Sequence, residues 1–159
     1  MNVDQADLRK AFGSFMTGVT VVTTRNGHDQ PLGFTANSFT SVSLSPPLVL
    51  ICIDKSSENL DAFTGAENFA VNILADDQQE ISNRFARNVE DRFYDIDWSL
   101  SIEGNPIITG AAAFFSCSMH KTVDAGDHVI LIGEVQSFSN TDKPGLGYHK
   151  GGYFTRSHD

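Results

Sequence analysis

A chain of 159 residues with 40% apolar and 19% charged side chains has the make-up of one ordinary globular core, and neither a second full core nor intrinsic disorder fits it. Acidic residues number 20 against 11 basic, a formal net charge of -9, which repels nucleic-acid backbones and anionic lipid alike. No run approaches the roughly 18 consecutive apolar residues of a membrane span, and "MNVDQADLRKAFGSFMTG" has early acids and no signal-like apolar core.

In chain order, Leu8, Ala11, Phe12 and Phe15 fall at helical spacing, which predicts an amphipathic helix over residues 4–16 stopped by Gly18. "VTVVTTR" is rich in β-branched residues and predicts a strand, with "NGHDQP" as the turn into a second strand that begins "GFTANSFTSVS". "PPLVLICID" is a buried aliphatic strand, and "SSENLDAFTGA" offers Ser56 or Ser57 as a cap for a short helix. "NFAVNILA" is another strand. "DDQQEISNRFARN" opens with acids and places Ile81, Phe85 and Ala86 on one helical face.

Residues 89–110 are irregular, with one short strand expected. "AAAFFSCSMHKTV" and "DAGDHVILIGEVQSFS" read as a long hairpin turning at "DAGD", and the glycine-rich tail as a loop with a last short strand. Six or seven strands that follow one another without βαβ alternation predict a closed antiparallel barrel decorated by two or three helices. Cys52 and Cys117 stand alone in apolar runs, as buried reduced thiols do, and the expected compartment is the cytoplasm.

Several chemistries lack their motif. No HExxH, CxxC, P-loop lysine, EF-hand or GxSxG pattern occurs, and the histidines at 28, 120, 128, 149 and 158 are isolated. "GLGYHKG" has GxG spacing but neither follows a clear strand nor opens a helix, as a dinucleotide turn would.

The hydroxyl-rich stretch is the informative one. Strict alternation sets Thr35, Asn37 and Phe39 on one face and Ala36, Ser38 and Thr40 on the other, so neither face is cleanly apolar. A strand turned toward a ligand and a solvated edge strand both account for it. Ser56 and Ser57 could offer hydroxyls and free N–H groups to a phosphate, or simply cap a helix. Arg84 could pair with the same phosphate or with solvent. His128 follows a tight turn at a strand mouth, where it could hydrogen-bond a ligand or be a partly exposed hairpin residue. Tyr148 and Tyr153 could be core aromatics or a lid.

Taken together, "FGSFMTGVTVVTT", "GFTANSFTSVSLSPPLVLICI", "FAVNIL", "ISNRFA" and "AGDHVILIGEV" resemble, in order and spacing, the flavin reductase-like family of FMN-binding split barrels. These are the reductase components of two-component flavin monooxygenases. The resemblance runs over nearly the whole chain, treated as one domain spanning 1–159.

The resemblance implies a mainly β, Greek-key split barrel with a few helices, homodimeric, with a flavin lying along "TANSFTSVS" near the subunit interface. It implies flavin contacts from Thr35, Asn37 and Ser38, with Ser41 and Ser43 in the same block and Cys52 and Asp54 at the end of the next strand. Ser56 and Ser57 correspond to the loop near the flavin phosphate, Arg84 and Phe85 to the helix beside it. His128 matches a histidine near flavin and nicotinamide, as a positioning donor, and Tyr153 a C-terminal aromatic beside the nicotinamide.

The implied activity is hydride transfer from NADH, or NADPH, to FMN or FAD, with reduced flavin passing to a partner monooxygenase. The flavin carries the chemistry and the protein holds the reactants in register. The missing motifs, the net charge and the lack of a long apolar run leave no metal, nucleic-acid or membrane partner expected. A bound flavin reducing another acceptor, such as a corrinoid or metal chelate, and a non-enzymatic flavin-binding module remain as alternatives.

Overall fold

The computed structural model describes residues 2–156; His158 lies outside them. In chain order the elements are α1 (Gln5–Phe12), β1 (Thr17–Gly18), β2 (Thr20–Arg25), β3 (Pro31–Ala36), β4 (Thr40–Leu44), β5 (Pro47–Asp54), α2 (Leu60–Thr64), β6 (Asn68–Ile73), α3 (Gln79–Ala86), β7 (Trp98–Leu100), β8 (Pro106–Ile108), β9 (Ala113–Ala125), β10 (His128–Asn140), β11 (Gly147–His149) and β12 (Gly152–Phe154).

Seven strands form one antiparallel sheet in the order β3-β2-β6-β9-β10-β5-β4. The expected closed barrel is corrected here. The sheet curls on itself, but β3 and β4 are its two edges and do not pair, so the barrel is split along that line. The break falls at Asn37, Ser38 and Phe39, which have no strand register with any neighbour among the described residues.

The sequence decides which way each strand faces. On β2, Val22 joins the barrel core with Val49, Ile51, Ile53, Phe63, Phe69, Val71, Cys117 and Leu131. Val21, one residue earlier, enters a second core with Phe85, Phe93, Ile108 and Leu146. Period-two alternation on a strand covered on both faces gives this division. Thr20, Thr23 and Thr24 are buried too, and their hydroxyls donate to the carbonyls of Ala36, Pro106 and Asn68 at 2.8, 2.5 and 2.8 Å. Asn72, fully buried on β6, donates to Val21 O at 3.0 Å and accepts from Ile108 N–H at 2.9 Å, so its amide is satisfied as burial demands. The β9–β10 hairpin turns at Gly126 and Asp127. Gly133 on β10 admits no side chain, because a Cβ there would lie 2.6 Å from Phe69 Cζ and 2.7 Å from Cys117 Cβ.

Four boundaries differ from expectation. The first helix ends at Phe12, with Gly13 as its C-cap, rather than running to residue 16. Its apolar stripe buries nothing, so no packing extends it past the cap. Ser56 and Ser57 do not cap α2, whose N-cap is Asn59 without a side-chain bond. Instead Ser56 N–H and Oγ both bond Asp54 Oδ1 at 2.7 Å, making a tight turn. The irregular middle holds two short strands, β7 and β8, and the tail holds β11 and β12. None of the helices among the described residues is long and apolar enough to cross a membrane.

Candidate active site

The break between β3 and β4 builds the site. Thr35, still on β3, points to α3 and donates its hydroxyl to Ser82 O at 2.7 Å. Two residues further the chain leaves the sheet, and Phe39 turns inward to stack on Phe115, ring centroids 5.7 Å apart and planes 15° from parallel. The expectation that Thr35 and Phe39 share a face is therefore corrected, since alternation holds only while the chain stays in the sheet. Asn37 is exposed and Ser38 half-buried on the lip.

Around that lip lies a groove of about 630 Å³, walled by Phe15, Phe39, Phe115 and Ile73 and edged by Thr17, Asn37, Ser38 and Thr40. Its walls are flat and apolar and its edge carries hydroxyl and amide groups. Thr17 Oγ1 is buried with no hydrogen-bond partner among the described residues. Ser38 is fixed from beneath by β5, its Oγ accepting from Cys52 N–H at 2.9 Å. Ser41 is exposed and Ser43 half-buried on β4, past this point.

The remaining candidates gather in two further groups. At the end of β5, Asp54 faces His128 in register across β10. The N–H and hydroxyl of Ser56 hold the Asp54 carboxyl below the usual carboxylate range, with a smaller contribution from the charge of His128. His128 Nδ1 lies 2.7 Å from Asp127 Oδ1, which fixes the ring at the strand mouth. Ser57 Oγ accepts from Asn59 N–H at 3.2 Å. The second group sits on α3. Tyr153 Oη is 2.7 Å from Ser82 Oγ and donates to Asn83 Oδ1 at 3.0 Å. Arg84 Nη1 donates to Tyr94 O. Phe85 is 1% exposed, edge-on to Phe93 at 4.9 Å, and lies where Gly33 leaves room for it. It anchors α3 and presents no surface to a ligand.

Three features escaped the sequence reading. Thr17 and Phe15 lie in the "FGSFMTGVTVVTT" block, from which no site residue was drawn. Phe115 sits on a distant hairpin and gives no local signal. Arg92, in the irregular middle, donates to Gly33 O at 2.8 Å and Glu58 Oε1 at 3.1 Å, tying its loop to β3 and to the turn after β5.

The described residues thus form a seven-stranded antiparallel split barrel with an aromatic groove at its seam. Residues 12–157 match the family model described as flavin reductase-like domain. The chain belongs to the flavin reductase-like family. It is 55% identical over 149 residues to the reductase component of a flavin-dependent trigonelline monooxygenase of Acinetobacter baylyi, covering 94% of this chain and 48% of that one. It is 47% identical over 137 residues to an NADH-dependent FAD reductase of Streptomyces globisporus, covering 83% and 74%. The structure of the Streptomyces globisporus NADH:FAD oxidoreductase SgcE6 in complex with NAD and FAD fragments superposes with a TM-score of 0.92 at 41% identity, covering 100% of this chain and 98% of that one. The chain spans about half the length of the two curated relatives to which it is 56% and 55% identical.

Proposed function

We propose that this chain is an NAD(P)H:flavin oxidoreductase that takes hydride from NADH, or NADPH, onto FMN or FAD and supplies reduced flavin to a partner monooxygenase. The groove at the barrel seam carries the proposal. A flavin is a flat ring system with a heteroatom edge, and the groove pairs aromatic walls at Phe39 and Phe115 with donors at Asn37, Ser38 and Thr40. The residues present fit the group. When bound, a flavin supplies the hydride-accepting chemistry.

The chain's own residues then have separable tasks. Asn37 and Ser38 donate to the polar edge of the ring, and the bond from Cys52 N–H keeps Ser38 in place. Phe39 and Phe115 exclude water from the face they cover. Ser41 and Ser43 continue the same rail on β4, and Thr35 holds α3 against it through Ser82. Ser56 and Ser57, in the turn that Asp54 closes by accepting from Ser56, serve the flavin phosphate with Arg84. His128, steadied by Asp127, orients the reductant by hydrogen bonding, and Tyr153, from β12, flanks its nicotinamide.

The protein works as a homodimer. In support, α1 buries none of its residues, and Phe12 and Phe15 are 69% and 78% exposed beside the groove. A second copy covering them would remove an apolar patch from water. The relatives named as monooxygenase components support an oxygenase partner reached by diffusing reduced flavin, and two free cysteines suit the cytoplasm.

Purified protein given NADH and added FMN should oxidise NADH at a rate that rises with flavin. No flavin-dependent oxidation with either nicotinamide would overturn the proposal.

A further inference from the structure

The pairing of β5 with β10 ends at Asp54 and His128, and the tip of the β9–β10 hairpin runs on past that point. Asp124, Ala125, Gly126 and Asp127 are all exposed. A Cβ placed on Gly126 would meet nothing within 4 Å, so no packing holds the turn. Yet Asp127 Oδ1 lies 2.7 Å from His128 Nδ1, and the ring can be no better placed than the turn that carries its partner.

What holds the tip is Lys55. Its N–H donates to Asp127 O at 2.9 Å, and its Nζ donates to Gly126 O at 2.7 Å and to Asp124 Oδ1 at 2.6 Å. Among the described residues these are the only hydrogen bonds that reach residues 124–127 from outside the hairpin. Lys55 is itself fixed at its base. Ser57 N–H bonds Asp54 O at 3.0 Å and Ser56 bonds the Asp54 carboxyl, folding residues 54–57 into a tight turn.

Stability does not account for the arrangement. The Lys55 and Asp124 side chains are 37% and 80% exposed, and an ion pair so open to solvent contributes little to folding. A lysine also gives up rotamer freedom to hold two acceptors at once. The outcome of these bonds is a position: that of the tip, hence of Asp127, hence of the His128 ring.

We infer that Lys55 is a positioning residue for hydride transfer, holding the hairpin tip so that Asp127 keeps His128 aimed at the reductant. Because Lys55 stands between Asp54 and Ser56, it also ties that aim to the turn assigned to the flavin phosphate. The inference rests on the flavin reductase reading. Near-attack geometry tolerates little slack, and a misplacement of about 1 Å caused by a distant change can cost on the order of 100-fold in rate. Lys55 acts at one remove and keeps its backbone bond when its side chain is changed, so a smaller loss is expected.

Single-turnover reduction of FMN by NADH, followed by stopped flow with protein in excess over FMN, separates the limiting rate from the half-saturating NADH concentration. Lys55→Met keeps the alkyl stem and removes both Nζ bonds. It should lower the limiting rate about 5- to 20-fold, with half-saturation and FMN affinity each within about twofold of wild type. Lys55→Arg, which keeps the charge and the donors, should return the rate to within about threefold. On a His128→Ala background, itself slower, Lys55→Met should cost less than about twofold more, because the lysine acts through that ring. An unchanged limiting rate in Lys55→Met, a loss that Lys55→Arg does not recover, or an equal loss with and without His128 overturns the inference. So does a melting temperature lowered by more than about 5 °C in Lys55→Met, which would make the lysine a structural strut. Wild-type protein that does not reduce FMN with either nicotinamide overturns the flavin reductase reading instead.

Discussion

Tyr153 Oη lies 2.7 Å from Ser82 Oγ, joining the last strand to a helix 71 residues earlier in the chain. Because Thr35 donates to the carbonyl of the same Ser82, one residue links β3, α3 and β12. Tyr153→Phe removes the hydroxyl and its bonds to Ser82 and Asn83. The expected loss is about 1–2 kcal/mol, a fall of roughly 2–8 °C in the melting temperature of a chain this long. An unchanged melt would mean that the Tyr153 hydroxyl contributes nothing to the hold on α3.

Ser38→Ala should act on both stability and ligand. It strips the acceptor from Cys52 N–H, at a cost of about 1 kcal/mol in urea unfolding, and removes a donor from the groove edge. FMN affinity measured by fluorescence quenching should fall about 3- to 10-fold. A variant as unstable as expected, but with wild-type FMN affinity, would confine Ser38 to propping β5.

The two thiols should separate chemically. Burial, aided by the nearby Glu103 charge, pushes Cys117 up to about 12, so almost none of it is thiolate at pH 8. Cys52 is half-buried on β5, between the core residues Ile51 and Ile53 in the chain. Native protein titrated with a chromogenic disulfide should release one equivalent, and unfolded protein two. Two equivalents from the native state would contradict the packing around Cys117.

Acid stability should depend on Asp54 and Glu103. Both carboxyls are held below their ordinary range, Asp54 chiefly by Ser56 and Glu103 by the hydroxyls of Ser116 and Ser137. A carboxyl with a lowered folded pKa stabilises the fold above its unfolded value, and that contribution is lost as pH falls through the folded one. Unfolding free energy should therefore decline below about pH 4.5, the ordinary glutamate range. The decline should be shallower in Asp54→Asn/Glu103→Gln; identical acid limbs would rule out both contributions.

Much of the fold is legible from local pattern. The β9–β10 hairpin follows from "DAGD" between β-rich runs, β5 from an uninterrupted aliphatic stretch, and α3 from the spacing of Ile81 and Phe85. The seam is not legible, because period-two reasoning assumes a chain that stays in its sheet, and nothing local marks Asn37 to Phe39 as the place it departs. The first helix misled for a related reason. Leu8, Phe12 and Phe15 have the periodicity of a core face, yet Phe12 and Phe15 stand in water, so an apolar stripe does not say whether its own chain covers it. Cross-chain pairings such as Tyr153 with Ser82, and the orphaned hydroxyl of Thr17, exist only once the barrel has curled.

The unpaired residues at the seam also set a timescale. Barrel closure would stitch β3 to β4 with a ladder that opens only when the core does, whereas here Asn37 to Phe39 are held by the Ser38–Cys52 bond and the Phe39–Phe115 stack alone and can open without breaking a strand pair. Amide protons on this stretch should exchange with solvent far sooner than those of the paired central strands β6 and β9. Residence of any molecule in the groove is then governed by a local breathing motion rather than by global stability. A barrel left unsealed at one seam can release its cargo many times within a single lifetime of the folded state.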